Sequence, residues 1–399
     1  MKRIKKPQSK AVMNLSNKVI LPGQTIGIIG GGQLGRMMAL AAKPMGYRIA
    51  VLDPNGDAPC AQVADHKIIG AYDDLNAIKK LADVSDVITY EFENIDAEAL
   101  AWLCQNAYVP QGSRLLEISQ DRIKEKHAVQ EAGVEVAPFA EVHSLEDVYD
   151  NIERLGLPAV LKTSRGGYDG KGQLVIQNAG DIPKGKALLT NGACVLEKWV
   201  PFKKEISVII TRNPNGEIAV LPVAENIHVE NILHQTIVPA RISDQAREKA
   251  IDKAMRLARN FELIGTLAVE MFLTEDDEIY INELAPRPHN SGHYSIEACV
   301  TSQFEQHVRA VCNLPLGSTE LLKPVVMVNI LGEHQAKVIE KIPEIRDWKI
   351  HFYGKRDPKI KRKMGHVTIL RDSVEKAIEE VESSSIWKTE VEKNLEVKS

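Results

Sequence analysis

The chain has 399 residues, 44% apolar and 26% charged, an ordinary globular composition with room for two to three domains. Fifty Lys/Arg against 54 Asp/Glu leave a net charge of −4, which excludes a polybasic nucleic-acid coat, and no long apolar run is present to span a membrane. Five scattered cysteines without a C-x-x-C pair argue against a zinc knuckle or a disulfide framework and fit a reduced, cytoplasmic setting.

Residues 1–20 carry six Lys/Arg and no apolar stretch follows directly, so they read as a disordered basic arm and not a secretory leader. An α/β unit follows over 21–125. Strand 25–29 runs into Gly30-Gly31-Gly32-Gln33-Leu34-Gly35, helix 36–45 stops at Gly46, and strand 48–52 ends at Asp53. Strand 87–90 and helix 96–106 continue the alternation, which implies a parallel sheet. A bridging helix is expected over 119–132, with Gly133 as its stop. The next unit, 126–322, has helix 145–155, strand 159–163, a glycine-rich loop, and strands 173–177, 194–200, 206–212 and 218–225. It continues with helix 243–261 and strands 266–273 and 278–282; a flexible lid is expected at about 133–200. A third unit, 323–399, has strands 324–330, 349–353 and 365–370, a basic loop 355–363 and helix 374–383. The fold class read from this order is mixed α/β and α+β.

The first glycine loop matches G-x-G-x-x-G between a strand and a helix, with Asp53 beyond it. That is the pattern of an NAD site, whose helix N-terminus offers N–H groups to a phosphate. It also suits a doubly wound unit whose loop touches another ligand or none.

The second loop, Gly166-Gly167-Tyr168-Asp169-Gly170-Lys171-Gly172, holds four glycines in seven residues and is not a Walker loop. It suits a flap that folds over phosphates, helped by Lys171 and by Lys162 in the preceding apolar strand. Glu197 to Val200 with Glu205 could offer a backbone edge to adenine and carboxylates to a ribose, although acids after a strand are common. Glu270 interrupts the apolar run Leu267–Phe272, and a turn near 276–277 sets it opposite Glu283 with Asn282 adjacent. Two opposed carboxylates repel unless a cation lies between them, and Mg²⁺ with bound phosphates is the economical occupant. The stiff loop after it holds Arg287, His289 and Asn290, suited to a small oxyanion.

Lys162, GGYDGKGQ (166–173), Glu197–Val200, Glu270 and NELAPRPHNSGH (282–293) occur in this order. The set resembles the ATP-grasp ligases, and within them the N5-carboxyaminoimidazole ribonucleotide synthetase family. GGGQLGRM (30–37), YEFEN (90–94), QDRIKEK (120–126) and RKMGH (362–366) match that family too; the basic arm is not required by it.

The resemblance implies an ATP-grasp fold with an N-terminal Rossmann-like domain of the biotin-carboxylase N-terminal type and a small β-rich C-terminal domain. It implies a carbon–nitrogen ligase of purine biosynthesis that uses ATP, Mg²⁺ and bicarbonate to carboxylate 5-aminoimidazole ribonucleotide through carboxyphosphate. Arg122, Lys162 and the flap Gly167, Tyr168, Asp169, Gly170, Lys171, Gly172 and Gln173 would hold ATP phosphates. Glu197, Lys198, Trp199, Val200, Glu205 and His228 would hold adenosine. Glu270 and Glu283, with Asn282 beside them, would hold Mg²⁺. Gln33, Leu34, Glu91 and Tyr168 would contact the ribonucleotide, whose phosphate would meet Lys355, Arg362 and Lys363. Asp169 would take the amine proton, and Arg287, His289 and Asn290 would face bicarbonate. A homodimer and hand-over of product to a mutase are further expectations. Rival readings are a formate-using glycinamide ribonucleotide transformylase, an NAD-dependent dehydrogenase, and a catalytically dead ATP-binding regulator.

Overall fold

The structure, a computed structural model, describes residues 18–167 and 171–387. Most of the basic arm, and Tyr168, Asp169 and Gly170 of the flap, lie outside the described residues. The arm ends earlier than position 20: Ile20 is fully buried, its N–H donates to the Cys312 carbonyl at 3.0 Å, and its carbonyl accepts from the Tyr47 hydroxyl at 2.7 Å.

The first unit is a four-stranded parallel sheet in spatial order His66–Ile69, Arg48–Asp53, Thr25–Ile29, Val87–Tyr90. Helix Gln33–Ala42 starts directly on the glycine loop, three residues before the expected start. Gly46, at φ 89°, turns the chain after a short 3₁₀ segment, where only glycine is unstrained. The bridging helix expected over 119–132 is Arg122–Glu131, and an additional short helix, Arg114–Ser119, precedes it. The break between them falls where Asp121 caps Arg122–Glu131 through the N–H groups of Ile123 and Lys124.

A small antiparallel sheet follows, in order Phe139–Val142, Cys194–Lys198, Ala159–Thr163, Gln173–Ile176. Its residues alternate. Ala159, Leu161, Leu196 and Ile176 enter a core with Val148 and Leu155 of helix Leu145–Leu155. Val160, Lys162, Gln173, Val175 and Glu197 share the other face, because Val160 pairs with Val175 and Glu197, and Lys162 with Gln173.

The large sheet has nine strands. Its main path is Ile279–Ala285, Gly265–Thr274, Phe202–Arg212, Ala224–Val229, Ile232–Val238, Val325–Leu331, Lys363–Leu370 and Lys349–Phe352, with Ile218–Val220 beside Phe202–Arg212. The segment expected as one strand over 218–225 is thus two, and Ile232–Val238 is an added strand. Its hairpin turns at Glu230 and Asn231, both at positive φ, a turn without glycine to announce it. Helix Asp244–Asn260 covers one face through Ala246, Ala250, Ala254 and Leu257, against Val208, Leu267, Val269 and Met271. The last unit adds its three strands to this same sheet through Gln235–Val328 to Val238–Val325.

Candidate active site

Parity also builds the working face of the large sheet. In Gly265–Thr274 the odd residues Leu267, Val269, Met271 and Leu273 are buried under the long helix, so Glu270 and Phe272 point the other way. Glu270 pairs with Glu283 on one side and Ser207 on the other; Phe272 pairs with Glu205. The Glu270–Glu283 register depends on a bulge. From Leu273–Ile279 to Met271–Ile281 the pairs are in step, and then Asn282 is passed over so that Glu270 meets Glu283. Without the bulge Glu270 would meet Asn282, and Glu283 would turn into the opposite face.

This face, the lid face and the first unit enclose a cleft of about 570 Å³. It is lined by Gln33, Leu34, Glu91, Arg122, Lys162, Lys171, Gln173, Glu197–Val200, Glu205, His228, Glu270, Asn282, Glu283, Arg287, His289, Asn290 and Lys363. The residues singled out in the sequence therefore converge, apart from Gly167, Gly172, Lys355 and Arg362, which are not among the lining residues, and the three undescribed flap residues. Phe92, Phe202, Phe272, Val160, Val175 and Leu233 add apolar walls that motif reading did not find; Phe202 and Phe272 stack at 4.6 Å.

Glu197 is not free to meet a ribose. It is buried, with its two oxygens each 3.1 Å from a lysine ammonium, Lys126 on one side and Lys162 on the other. Burial opposes its charge, but the two lysines overwhelm that and hold the carboxyl down at about 2. Glu197 thus fixes Lys162 on the lid face. Lys126 escaped notice because a lysine in a charged helix reads as solvated; here it is buried. Glu205 pairs with His228 at 3.1 Å. Burial disfavours the imidazolium, and Glu205 more than offsets it, so the His228 pKa is raised.

Glu270, squeezed by burial and by Glu283, has its carboxyl pushed up to about 7. A pair of carboxylates that cannot both ionise comfortably is an oxygen-only donor set, which suits a hard cation completed by phosphate and water oxygens. No cluster of three or more metal-binding side chains occurs among the described residues, so protein ligands alone would not complete a shell. Arg287 is held by Glu93 of the YEFEN segment at 2.7 Å, and its Nε is buried with no acceptor among the described residues, as an anion site requires. Asn290 and Asn329 exchange reciprocal amide hydrogen bonds at 3.0 and 2.8 Å. His289 is held neutral by burial and by the neighbouring cation Arg287, which lower its pKa.

The first glycine loop cannot hold a pyrophosphate. Gly31 N–H donates to Asp53 at 2.7 Å, and Glu91 accepts from both Gly32 and Gly35 N–H. The helix N-terminus expected to offer free donors is capped by the protein's own acids, and Asp53 also takes the Tyr72 hydroxyl at 2.7 Å. With these N–H groups taken, the loop does not form a dinucleotide site. What remains is a loop locked so that Gln33 and Leu34 face the cleft.

The basic loop docks on the first unit: Gln62 donates to the Gly354 carbonyl at 2.9 Å and Arg356 pairs with Asp57 at 2.6 Å. Lys355 donates to the Lys363 carbonyl at 2.8 Å. Burial, with Arg362 adding to it, lowers the Lys355 ammonium to about 8.

A two-sheet clamp of this kind, with a lysine-bearing lid over an acidic hairpin, defines an ATP-grasp protein. The chain matches the ATP-grasp domain family over residues 127–304, a ribonucleotide synthetase preATP-grasp domain over 23–120 and a phosphoribosylaminoimidazole carboxylase C-terminal domain over 325–380. It is 56% identical over 368 residues to the N5-carboxyaminoimidazole ribonucleotide synthase of Bacillus subtilis, covering 92% of this chain and 97% of that protein. A solved N5-carboxyaminoimidazole ribonucleotide synthetase in complex with ADP superposes with a TM-score of 0.91 at 60% identity, covering 93% and 98% of the two chains. The Aspergillus clavatus enzyme, solved with ADP and 5-aminoimidazole ribonucleotide, superposes with a TM-score of 0.84 at 31% identity over 90% and 96%. The chain belongs to the N5-carboxyaminoimidazole ribonucleotide synthase family.

Proposed function

We propose that the protein carboxylates 5-aminoimidazole ribonucleotide with bicarbonate at the expense of ATP, giving N5-carboxyaminoimidazole ribonucleotide, ADP and phosphate. The observation that carries this reading is the convergence in one cleft of Lys162 locked by Glu197, the opposed acids Glu270 and Glu283, and the Arg287–Asn290 loop.

Bicarbonate is a poor electrophile. Its oxygen attacks the γ-phosphorus of ATP, the bond to the β,γ-bridging oxygen breaks, and ADP leaves with carboxyphosphate formed. The exocyclic amine then captures the carboxyl carbon as carboxyphosphate, or the CO₂ it releases, and phosphate departs. Little covalent work falls to the protein; positioning and charge neutralisation dominate.

Arg122, Lys162 and Lys171 hold the phosphates, with the flap backbone at Gly167 and at Lys171 to Gln173 beside them; a phosphate role for Tyr168, Asp169 and Gly170 belongs to the same reading. Adenine lies between Val160 and Val175 of the lid and Phe272 of the large sheet, against Lys198, Trp199 and Val200, with Glu205 and His228 at the ribose. Glu270 and Glu283, with Asn282, would hold Mg²⁺, which supplies charge neutralisation at the triphosphate. Arg287 and His289 donate to bicarbonate, and Asn290, oriented by Asn329, lies beside them. Gln33, Leu34, Glu91 and Tyr168 contact the ribonucleotide; Lys355, Arg362 and Lys363 meet its phosphate. Asp169 accepts the amine proton. A homodimer and transfer of the labile product to a mutase belong to the same reading.

The test is coupled ADP production with 5-aminoimidazole ribonucleotide, with and without bicarbonate, and with glycinamide ribonucleotide plus formate as the comparison arm. ADP release that needs both bicarbonate and the aminoimidazole is expected. Release only with glycinamide and formate, or none, would overturn the reading.

A further inference from the structure

Behind His289 runs a buried chain of polar side chains that no step above uses. His289 Nδ1 lies 2.9 Å from the Ser291 hydroxyl. Ser207 Oγ donates to Ser291 Oγ at 2.8 Å, Asn226 Nδ2 donates to Ser207 Oγ at 2.9 Å, and Thr236 Oγ1 donates to Asn226 Oδ1 at 3.0 Å. Thr236, Ser207 and Ser291 are 0% exposed and Asn226 5%, so water cannot scramble the pattern. The chain is a product of register. Asn226 pairs with Thr236, and Ser207 pairs with Glu270, on the face that carries the acidic hairpin.

The chain has a direction, fixed at its His289 end. With its oxygen taken by Thr236, the Asn226 amide donates through its nitrogen to Ser207. Ser207 then sends its own hydrogen to Ser291, and Ser291 sends its hydrogen to His289 Nδ1. At the His289 end the Ser291 backbone N–H, which cannot reverse, also aims at Nδ1 at 3.3 Å. Two donors converge on one nitrogen, so that nitrogen carries no hydrogen. The ring hydrogen resides on Nε2, which lies 3.5 Å from Glu270 Oε1 at the anion end of the cleft.

We propose that Thr236, Asn226, Ser207 and Ser291 are positioning residues that lock His289 as the Nε2-protonated imidazole, a hydrogen-bond donor to the reacting oxyanion and neither a base nor a metal ligand through that nitrogen. The value of such a lock is that Nε2–H is presented before substrate arrives, with no reorganisation at the moment of reaction. It rests on the function proposed above for its catalytic consequence, but not for the tautomer itself.

The decisive variant is Asn226→Asp, which keeps the shape and abolishes the donor. The carboxylate it introduces can only accept, so Ser207 turns its hydrogen toward it, Ser291 turns toward Ser207, and Nδ1 loses its side-chain donor. The full-length protein labelled with ¹⁵N-histidine, with His289 assigned by its loss in His289→Gln, reads the tautomer directly and without substrates. Wild type is expected to show an unprotonated Nδ1 and a protonated Nε2. In Asn226→Asp the Ser291 N–H still aims at Nδ1, so Nδ1 stays unprotonated, but its resonance is expected to move toward that of a nitrogen with one donor fewer, and kcat to fall by about ten-fold or more with KM for ATP unchanged. Ser291→Ala, which removes the side-chain donor to Nδ1 without adding a charge, is expected to move the same resonance the same way and serves if the aspartate variant does not fold. A protonated Nδ1 in wild type, or a Nδ1 resonance unmoved in the folded variants, overturns the proposal. Absence of bicarbonate-dependent turnover in wild type would instead sink the functional reading and leave the tautomer standing.

Discussion

A buried carboxylate between two ammonium groups, one buried and one half-buried, is held by both and cannot be removed from either without leaving uncompensated charge. Glu197 is that carboxylate, with Lys126 and Lys162 on its two oxygens. Glu197→Gln leaves Lys126 and Lys162 facing each other, and is expected to cost about 3–5 kcal/mol of stability. Urea unfolding measures this; a loss under about 1 kcal/mol would show that the lysines find other partners. KM for ATP should rise in the same variant, since Lys162 loses its brace. Lys355 gives a pH signature. Its ammonium, lowered to about 8, is charged below that value and lost above it, so KM for the ribonucleotide should climb as pH rises through 8 while KM for ATP stays level. Lys355→Met should raise the ribonucleotide KM at pH 7 and erase that climb. Lys162 was legible because a charge inside an apolar strand breaks the period-two pattern. Lys126 was not, because burial of a helix residue depends on what packs over it, and a neighbouring sheet does so here.

At the scale of elements, most strands and helices were written in the local pattern. Thr25–Ile29, Val87–Tyr90, Leu145–Leu155, Ala159–Thr163 and Val374–Ser383 stand where alternation and capping put them. Helix Gln303–Val311 was not seen, and its burial says why. Gln303, Gln306 and His307 are as enclosed as Phe304 and Val308, so the polar letters along this segment do not report which side chains face solvent. His307 joins this helix to two units at once: its Nδ1 accepts from Thr266 N–H at 3.1 Å and its Nε2 faces Thr89 Oγ1 at 2.8 Å. Burial lowers its pKa from 6.5 to about 3. The unfolded chain therefore binds a proton between those values that the native state refuses. Stability is whole above 6.5 and falls as pH drops toward 3. His307→Gln should lower stability at pH 7.5 by about 1–3 kcal/mol through the lost hydrogen bonds and flatten this acid slope, as thermal melts across pH 4–7.5 would record. The acidic hairpin was read with the right pair from a turn centre between 276 and 277. The turn itself closes with Thr274 N–H on the Glu278 carbonyl, half a residue away, and the bulge at Asn282 restores the difference. Glu283→Gln should raise the Mg²⁺ concentration for half-maximal turnover at least several-fold; an unchanged magnesium titration would remove Glu283 from the metal site.

The whole molecule is tied together at the cleft by contacts that sequence order cannot reveal. Arg122 at the start of its helix holds the Gly167 carbonyl at 3.0 Å and the Thr163 carbonyl at 3.3 Å, and its backbone N–H donates to the Ser164 carbonyl. Glu125 of the same helix accepts from Leu284 N–H at 3.1 Å beside the acidic pair. One helix thus grips the root of the flap and the acidic hairpin together. That most of these residues gather in one cleft was legible from motif order; its wiring was not, because Glu93–Arg287, Asn290–Asn329 and Lys126–Glu197 each join residues distant in the chain, and only the folded register brings them together.

The shared sheet has a further consequence. Three domain families map onto the chain in sequence, yet strand Ile232–Val238 of the second segment hydrogen-bonds strand Val325–Leu331 of the third, and Asn329 reaches back to the Leu233 carbonyl at 2.7 Å. Modules recognised by their letters are here not modules that can be unplugged. A chimera that grafts a relative's final segment onto this chain must bring the matching seam with it, or else expose a raw edge to every other molecule in the tube.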